Sequence, residues 1–194
     1  MELILVRHGL PQSTVPAEGP PDPELSPTGR DQAEQVARWL ADEQIDAVVS
    51  SPLRRAVQTA EPTAAQRGLP VVPDPGVREI YFGEQAYTPM EQIAPDDPRV
   101  QLFRTAIADE DGELLTSFRA QVSGGLAGIV ERHPDQNVLV ACHGGVVNAA
   151  LAEILRIPRT FAFDIGYASI TRLRPGRGGR LRVHSVNEQG HLRT

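Results

Sequence analysis

Two histidines in the 194-residue chain sit in similar local patterns. His8 follows Arg7 and precedes Gly9, and His143 follows Cys142 and precedes Gly144-Gly145. A third cluster, Arg54-Arg55, follows Ser50-Ser51-Pro52-Leu53. Histidine can act as nucleophile or proton carrier near neutral pH, and arginine captures phosphate or carboxylate through its planar fork. Histidines accompanied by arginines point to an anionic ligand and a protonation-sensitive reaction, with phosphate the natural candidate. The chain contains no lysine; all 19 basic residues are arginine. A Schiff base, a lysine general base and a P-loop lysine are therefore excluded. An anion must be held by guanidinium groups, backbone N–H groups or helix N-termini.

The elements that must position these residues are legible from apolar runs and caps. Leu3-Ile4-Leu5-Val6 and Val138-Leu139-Val140-Ala141 read as strands buried on both faces, and Asp46 to Ser50 as a further one. Each ends at one of the three clusters. Ser26 as N-cap with Pro27 at the first helical position starts a helix carrying Ala33, Val36, Ala37 and Leu40. The spacing predicts further helices over 53–67, kinked or divided at Pro62, over 115–133, and after Gly145. Val71-Val72 is a weak strand, and residues 168–173 and 181–186 form a hairpin turning at 175–179. Residues 11–27 form a loop, and residues 73–112, rich in Pro, Asp and Gly, show little regular structure. Strands alternating with helices predict a three-layer α/β/α sandwich with a mainly parallel central sheet. Residues 1–194 form a single domain, with 73–112 as an insertion or lid. Ligands bind such sheets beyond the carboxyl ends of the strands, where all three clusters fall. Glycine after each histidine would allow a ligand to approach the backbone closely.

Composition narrows the partners. The net charge of −6 argues against nucleic acid or an anionic membrane as the main partner. A single cysteine, Cys142, excludes an internal disulfide, and its place in a buried strand end makes it inert. No apolar run is long enough for a signal-peptide core or a membrane span, so a cytoplasmic location is expected. A zinc site of His8, His143 and His184 is disfavoured because no carboxylate or cysteine ligand is suitably placed. Trp39 on the first helix is read as core or partly exposed, not as a ligand.

Four blocks in order resemble the histidine phosphatase superfamily, the group that includes the phosphoglycerate mutases: Arg7-His8-Gly9; Leu25-Ser26-Pro27-Thr28-Gly29 with Ala33; Ser50-Ser51-Pro52-Leu53-Arg54-Arg55-Ala56 through Gln58-Thr59-Ala60; and Cys142-His143-Gly144-Gly145-Val146. The resemblance covers nearly the whole chain and implies a phosphoglycerate mutase-like fold. It implies a phosphoric monoester hydrolase of the histidine acid phosphatase type, needing no cofactor and no metal. His8 would be the nucleophile; Arg7, Arg55, His143 and Gly144 would bind the phosphoryl group. Glu79 would donate the proton to the leaving group, with Glu84 the runner-up. Arg54 could reach a distal group of the substrate. Leu10-Pro11-Gln12-Ser13-Thr14 departs from the family's usual continuation, leaving Gln12, Ser13 and Thr14 as candidates for auxiliary phosphate contacts. The expected partner is a small-molecule phosphate ester, and the superfamily allows monomer or homodimer. A phosphoglycerate-type mutase is the alternative activity, disfavoured by the short insertion and by Gly145-Val146-Val147. A non-catalytic phospho-ligand binder on the same fold and a protein phosphohistidine phosphatase are further alternatives.

Overall fold

The computed structural model describes residues 1–16, 18–83, 86–89, 92–94, 96–176 and 180–192. Six strands, β1 (Glu2–Arg7), β2 (Ala47–Ser50), β3 (Val71–Pro73), β4 (Asn137–Cys142), β5 (Ile170–Pro175) and β6 (Leu181–Glu188), form one sheet in the order β3-β2-β4-β1-β5-β6. The first four neighbours are parallel, while β5 runs antiparallel to β1 and β6 antiparallel to β5. The parallel pairings are in a register that makes the strands end level. Arg7 lies opposite Cys142, and Ser50 opposite Ala141. Pairing continues one residue further: His8 N–H donates to the Cys142 carbonyl at 2.9 Å and Ser51 N–H to that of Ala141 at 2.8 Å.

Helices cover both faces. Leu3, Leu5, Val138 and Val140 pack against α4 (Glu113–Arg132) and α5 (Gly144–Leu155). Ile4, Val6, Val48 and Leu139 pack against α1 (Pro27–Trp39) and α2 (Arg54–Arg67). Because both faces are covered, the interiors of the central strands, Leu3 to Val6 and Val138 to Cys142, are apolar at successive positions rather than alternating. The three-layer sandwich is as expected. So is the start of α1, where the Ser26 hydroxyl oxygen accepts from Gly29 N–H at 3.0 Å.

Two expectations are corrected, and a third, the kink or division at Pro62, loses its second half. Helix α2 continues through Pro62 without being divided and ends at Gly68, whose φ of 62° closes it. The insertion is more regular than its composition suggests. A 3₁₀ turn spans Pro75–Val77, and α3 spans Pro98–Ala108, capped by Asp97 accepting from Arg99 N–H. Glycine at position 9 serves packing, not ligand approach: a Cβ there would stand 2.5 Å from the Gly29 carbonyl oxygen. Gly29 reciprocates, since a Cβ on it would overlap the Leu10 carbonyl oxygen. The β1 exit and the first turn of α1 are thus in backbone contact. Trp39 is half-exposed against His191, with ring centroids 5.8 Å apart. Among the described residues no helix is long and apolar enough to cross a membrane.

Gly29→Ala is expected to cost about 2–3 kcal/mol, because backbone rather than a flexible side chain must move. Gly124→Ala, in α4 with open space around its Cβ, should instead gain about 0.5–1 kcal/mol from reduced chain entropy. Urea unfolding of the two variants checks both signs.

Candidate active site

His8 lies just beyond β1, buried, with its tautomer fixed from both sides. Nδ1 stands 2.8 Å from the Gly9 carbonyl oxygen, which can only accept, so Nδ1 carries the proton. Arg55 Nε–H donates to Nε2 at 3.2 Å, so Nε2 presents a lone pair. Burial, then the Arg55 and Arg7 charges, hold the imidazole well below its ordinary pKa, against the opposing pull of the Gly9 carbonyl. His8 is a neutral imidazole with an available Nε2.

The motif residues around it hold this geometry. Gly9 N–H donates to Thr59 Oγ1 at 3.0 Å, and that hydroxyl donates to the Arg55 carbonyl at 2.7 Å, tying the β1 exit to α2. Gln32 and Gln58 accept from the N–H groups of Leu10 and Leu25, each at 2.8 Å. His143, fully buried at the β4 exit, pairs through Nε2 with Ser51 Oγ at 2.8 Å. Its ring meets that of His8 edge to face at 5.1 Å. Burial first, then Arg55, His8, Arg7 and Arg78, lower its pKa as well. Arg7 donates through Nη1 to the Ile165 carbonyl and lies 3.7 Å over the Tyr167 ring.

Arg7 Nε, Arg55 Nη1 and His143 Nδ1 are buried without a hydrogen-bond partner. Two guanidinium donors and an imidazole nitrogen left unpaired around one histidine are costly unless a ligand pairs with them. A phosphoryl group, with three acceptor oxygens, would satisfy them.

Glu79 follows the 3₁₀ turn and reaches the start of α5. Gly145 N–H donates to Oε2 and Ile80 N–H to Oε1, both at 3.1 Å. A Cβ at Gly145 would overlap Oε1, so this glycine is the condition for the approach. Burial raises the Glu79 pKa, opposed by the two N–H donors and by the Arg55 and Arg7 charges. The carboxyl is thus set to titrate above the ordinary glutamate range.

Arg7, His8, Arg55, Glu79, Gly144 and Gly145 line one cavity of about 620 Å³, while His143 is fully buried against the His8 ring. Glu84 lies outside the described residues. Other expected contacts fall elsewhere. Arg54 pairs with Glu24 at the surface, and its N–H goes to Asp22. Gln12 donates to the Leu25 carbonyl, Ser13 hydrogen-bonds Gln92, and Thr14 bridges to Tyr87; none lines the cavity. His184 sits on edge strand β6, away from the cavity, so it cannot complete a zinc site with His8 and His143. Among the described residues no group of three His, Cys, Asp or Glu could hold a metal ion. Burial and the Glu79 carboxylate push the Cys142 thiol far up, consistent with an inert side chain.

Some contributors carried no sequence signal. Tyr167 supports Arg7 and lies 5.5 Å from His8; the Tyr87 ring lies under Arg55 at 5.1 Å; Asp22 stands 3.9 Å from Arg55 Nη1. Ser51 sits in the Ser50-Ser51-Pro52-Leu53 motif, yet its pairing with His143 depends on register between β2 and β4 that spacing does not show.

A family model described as "Histidine phosphatase superfamily (branch 1)" matches residues 3–189. The chain belongs to the histidine phosphatase superfamily. It is 31% identical over 154 residues to the Bacillus subtilis phosphatase PhoE, covering 78% of this chain and 76% of the relative. Against the Mycobacterium tuberculosis glucosyl-3-phosphoglycerate phosphatase it is 32% identical over 169 residues, covering 80% and 76%. An Entamoeba histolytica phosphoserine phosphatase variant, solved in complex with phosphoserine, superposes with a TM-score of 0.78 at 25% identity, covering 98% of each chain. An Arabidopsis thaliana relative described as phosphoglycerate mutase-like also matches. This superfamily fold therefore places a buried, neutral His8 with unpaired arginine donors at the carboxyl edge of the sheet.

Burial of the two histidines has a consequence for stability. Their folded-state pKa values lie below the unfolded value near 6.5, so the unfolded chain binds more protons in acid. Stability is complete above about pH 6.5 and falls below it, by up to about 1.4 kcal/mol per pH unit for each histidine. Denaturation midpoints at pH 7.5 and 5.5 should show this loss, and His8→Gln should show a smaller one.

Proposed function

We propose that the protein hydrolyses phosphate monoesters of small molecules through a phosphohistidine at His8. The observation that carries this reading is the neutral His8, its Nε2 lone pair accepting from Arg55 Nε–H, in a site where buried Arg7 Nε, Arg55 Nη1 and His143 Nδ1 have no hydrogen-bond partner. Nε2 attacks phosphorus as the P–O bond to the leaving group breaks. Arg7, Arg55 and His143 donate to the phosphoryl oxygens and match the charge of a loose transition state. Arg55 Nε–H, released from Nε2 when the P–N bond forms, is free to turn to an oxygen. Gly144, at the first position of α5, brings a helix N-terminus beside them. Protonated Glu79 gives its proton to the leaving oxygen. A water molecule then attacks phosphorus, Glu79 takes its proton, and the P–N bond breaks to return His8 and phosphate.

Two pKa shifts support the acid phosphatase subtype. Activity needs His8 neutral and Glu79 protonated, and lowering the one while raising the other opens a pH window in which both hold. Residues 73–112, which carry Glu79, Tyr87 and α3, act as a lid over the site within one domain. A cytoplasmic location without a nucleic-acid or membrane partner, as monomer or homodimer, is in keeping with the net charge of −6.

Hydrolysis is favoured over mutase chemistry because Val146 and Val147 at the start of α5 are buried and apolar, offering nothing to a second phosphate. The test is to mix enzyme with ³²P-labelled substrate, quench in alkali, which preserves phosphohistidine, and map the label. Label on His8 formed and lost at the turnover rate supports the reading; turnover without label overturns it. Conversion of 3-phosphoglycerate to its isomer, rather than to inorganic phosphate, would establish the mutase.

A further inference from the structure

Beyond the phosphoryl pocket the cavity changes character. Phe82 meets Phe103 edge to face at 5.2 Å, and Phe103 meets Phe161 likewise at 5.8 Å. Ile80, Ile93 and Ile107 line the same space. Phe103 and Ile107, four residues apart on α3, present one face of that helix to the cavity. Of the charges nearby, Arg99 is already engaged in a two-point pair with Asp97, at 3.0 and 2.8 Å. Arg78 and Asp164 are exposed.

The wall is also held in place from behind. Glu110, just past α3, accepts from Thr160 N–H at 2.9 Å and from its hydroxyl at 2.6 Å, and pairs with Arg119. Arg119 Nε–H in turn donates to Thr160 Oγ1 at 2.7 Å. Thr160 is fully buried and precedes Phe161 directly. A fixed three-ring wall cannot collapse to fill its own space, and a charged leaving group against it would lose hydration without gaining a partner.

We infer that this wall is an acceptor subsite for a flat apolar ring, so that the preferred substrates are phosphate monoesters of alcohols bearing an aromatic or similar apolar ring. The inference rests on the phosphatase reading for its reaction but not for its binding. The ring lies against Phe103 and Phe161 while the ester oxygen faces Glu79. A polar amino-acid or glycerate end, as in the phosphoserine bound by the Entamoeba relative, lacks buried partners on this wall.

The experiment compares esters whose leaving groups are all alkoxides, so that leaving-group acidity does not mimic a ring effect. Benzyl phosphate is expected to exceed both ethyl phosphate and O-phosphoserine at least tenfold in kcat/KM, on the order that burial of one ring face supplies. Phe103→Ala and Phe161→Ala should each bring the benzyl-to-ethyl ratio down toward one, and Phe103→Leu should retain most of it. Calorimetric titration with benzylphosphonate and ethylphosphonate gives a readout independent of turnover, with at least tenfold tighter binding of the benzyl compound expected. Equal affinities, or a preference for O-phosphoserine, would overturn the subsite. Discriminating phosphonate binding without hydrolysis of any ester would keep the subsite and refute the phosphatase reading instead.

Discussion

His8→Ala lowers phosphatase turnover by a factor on the order of 10⁴ or more, leaving a folded protein that still binds phosphate. No other group can replace it. Lysine is absent from the chain, Cys142 is a buried thiol pushed far above neutrality, and His143 is committed to Ser51. Removing the imidazole leaves Arg7, Arg55 and the start of α5 in place, so inorganic phosphate should bind within a few-fold of the original affinity. Arg55→Ala should behave differently. It removes a buried guanidinium that faces His8, and both phosphate affinity and rate should fall, the rate by about 10²–10³-fold as for other lost transition-state donors. Hydrolysis of p-nitrophenyl phosphate in EDTA, with phosphate binding measured by calorimetry, separates the two variants. Full activity in His8→Ala would sink the assignment of the nucleophile.

How much of this was legible in the sequence depends on what each residue packs against. Leu3 to Val6 and Val138 to Ala141 were readable because helices cover both faces of the sheet, leaving unbroken apolar runs. Their carboxyl ends then placed His8, His143 and Arg55 together, since parallel neighbours in register end level. Helix α3 escaped notice although Asp97-Pro98 repeats the start signal of Ser26-Pro27. Only Val100 of that helix is fully buried, Leu102 is exposed, and Phe103 and Ile107 face a cavity rather than the core, so no apolar stripe of ordinary width exists. Tyr87 and Tyr167 reach the arginines from remote parts of the chain, and nothing local marks a ring as a support for a guanidinium. Gly9 was legible as a required glycine but not for its reason, because its neighbour Gly29 lies twenty residues on, across a proline-rich loop. Residue types declared the chemistry; contacts between distant backbone segments declared the support.

Glu79→Gln is the sharper test of mechanism, because its effect depends on the substrate. Expelling an alkoxide requires a proton, and a positioned acid supplies about 10²–10⁴ in rate. Benzyl or ethyl phosphate should therefore lose activity in that range, whereas p-nitrophenyl phosphate, whose leaving group is stable as an anion, should lose less than about tenfold. The substitution also disturbs the cradle: both carboxylate oxygens accept a backbone N–H, from Gly145 and from Ile80, and an amide can accept only one of them. That local mismatch harms both substrates alike, so the ratio between them isolates the proton transfer. The pH dependence carries an independent signature. Burial raises the Glu79 pKa, and a bound phosphate dianion raises it further by like-charge repulsion. Wild-type activity on alkyl phosphates should fall as pH rises through that value, and Glu79→Gln should lack this limb while keeping the acid limb set by His8. Equal losses on alkyl and aryl phosphates, with the alkaline limb intact, would make Glu79 a support for the start of α5 and require another acid.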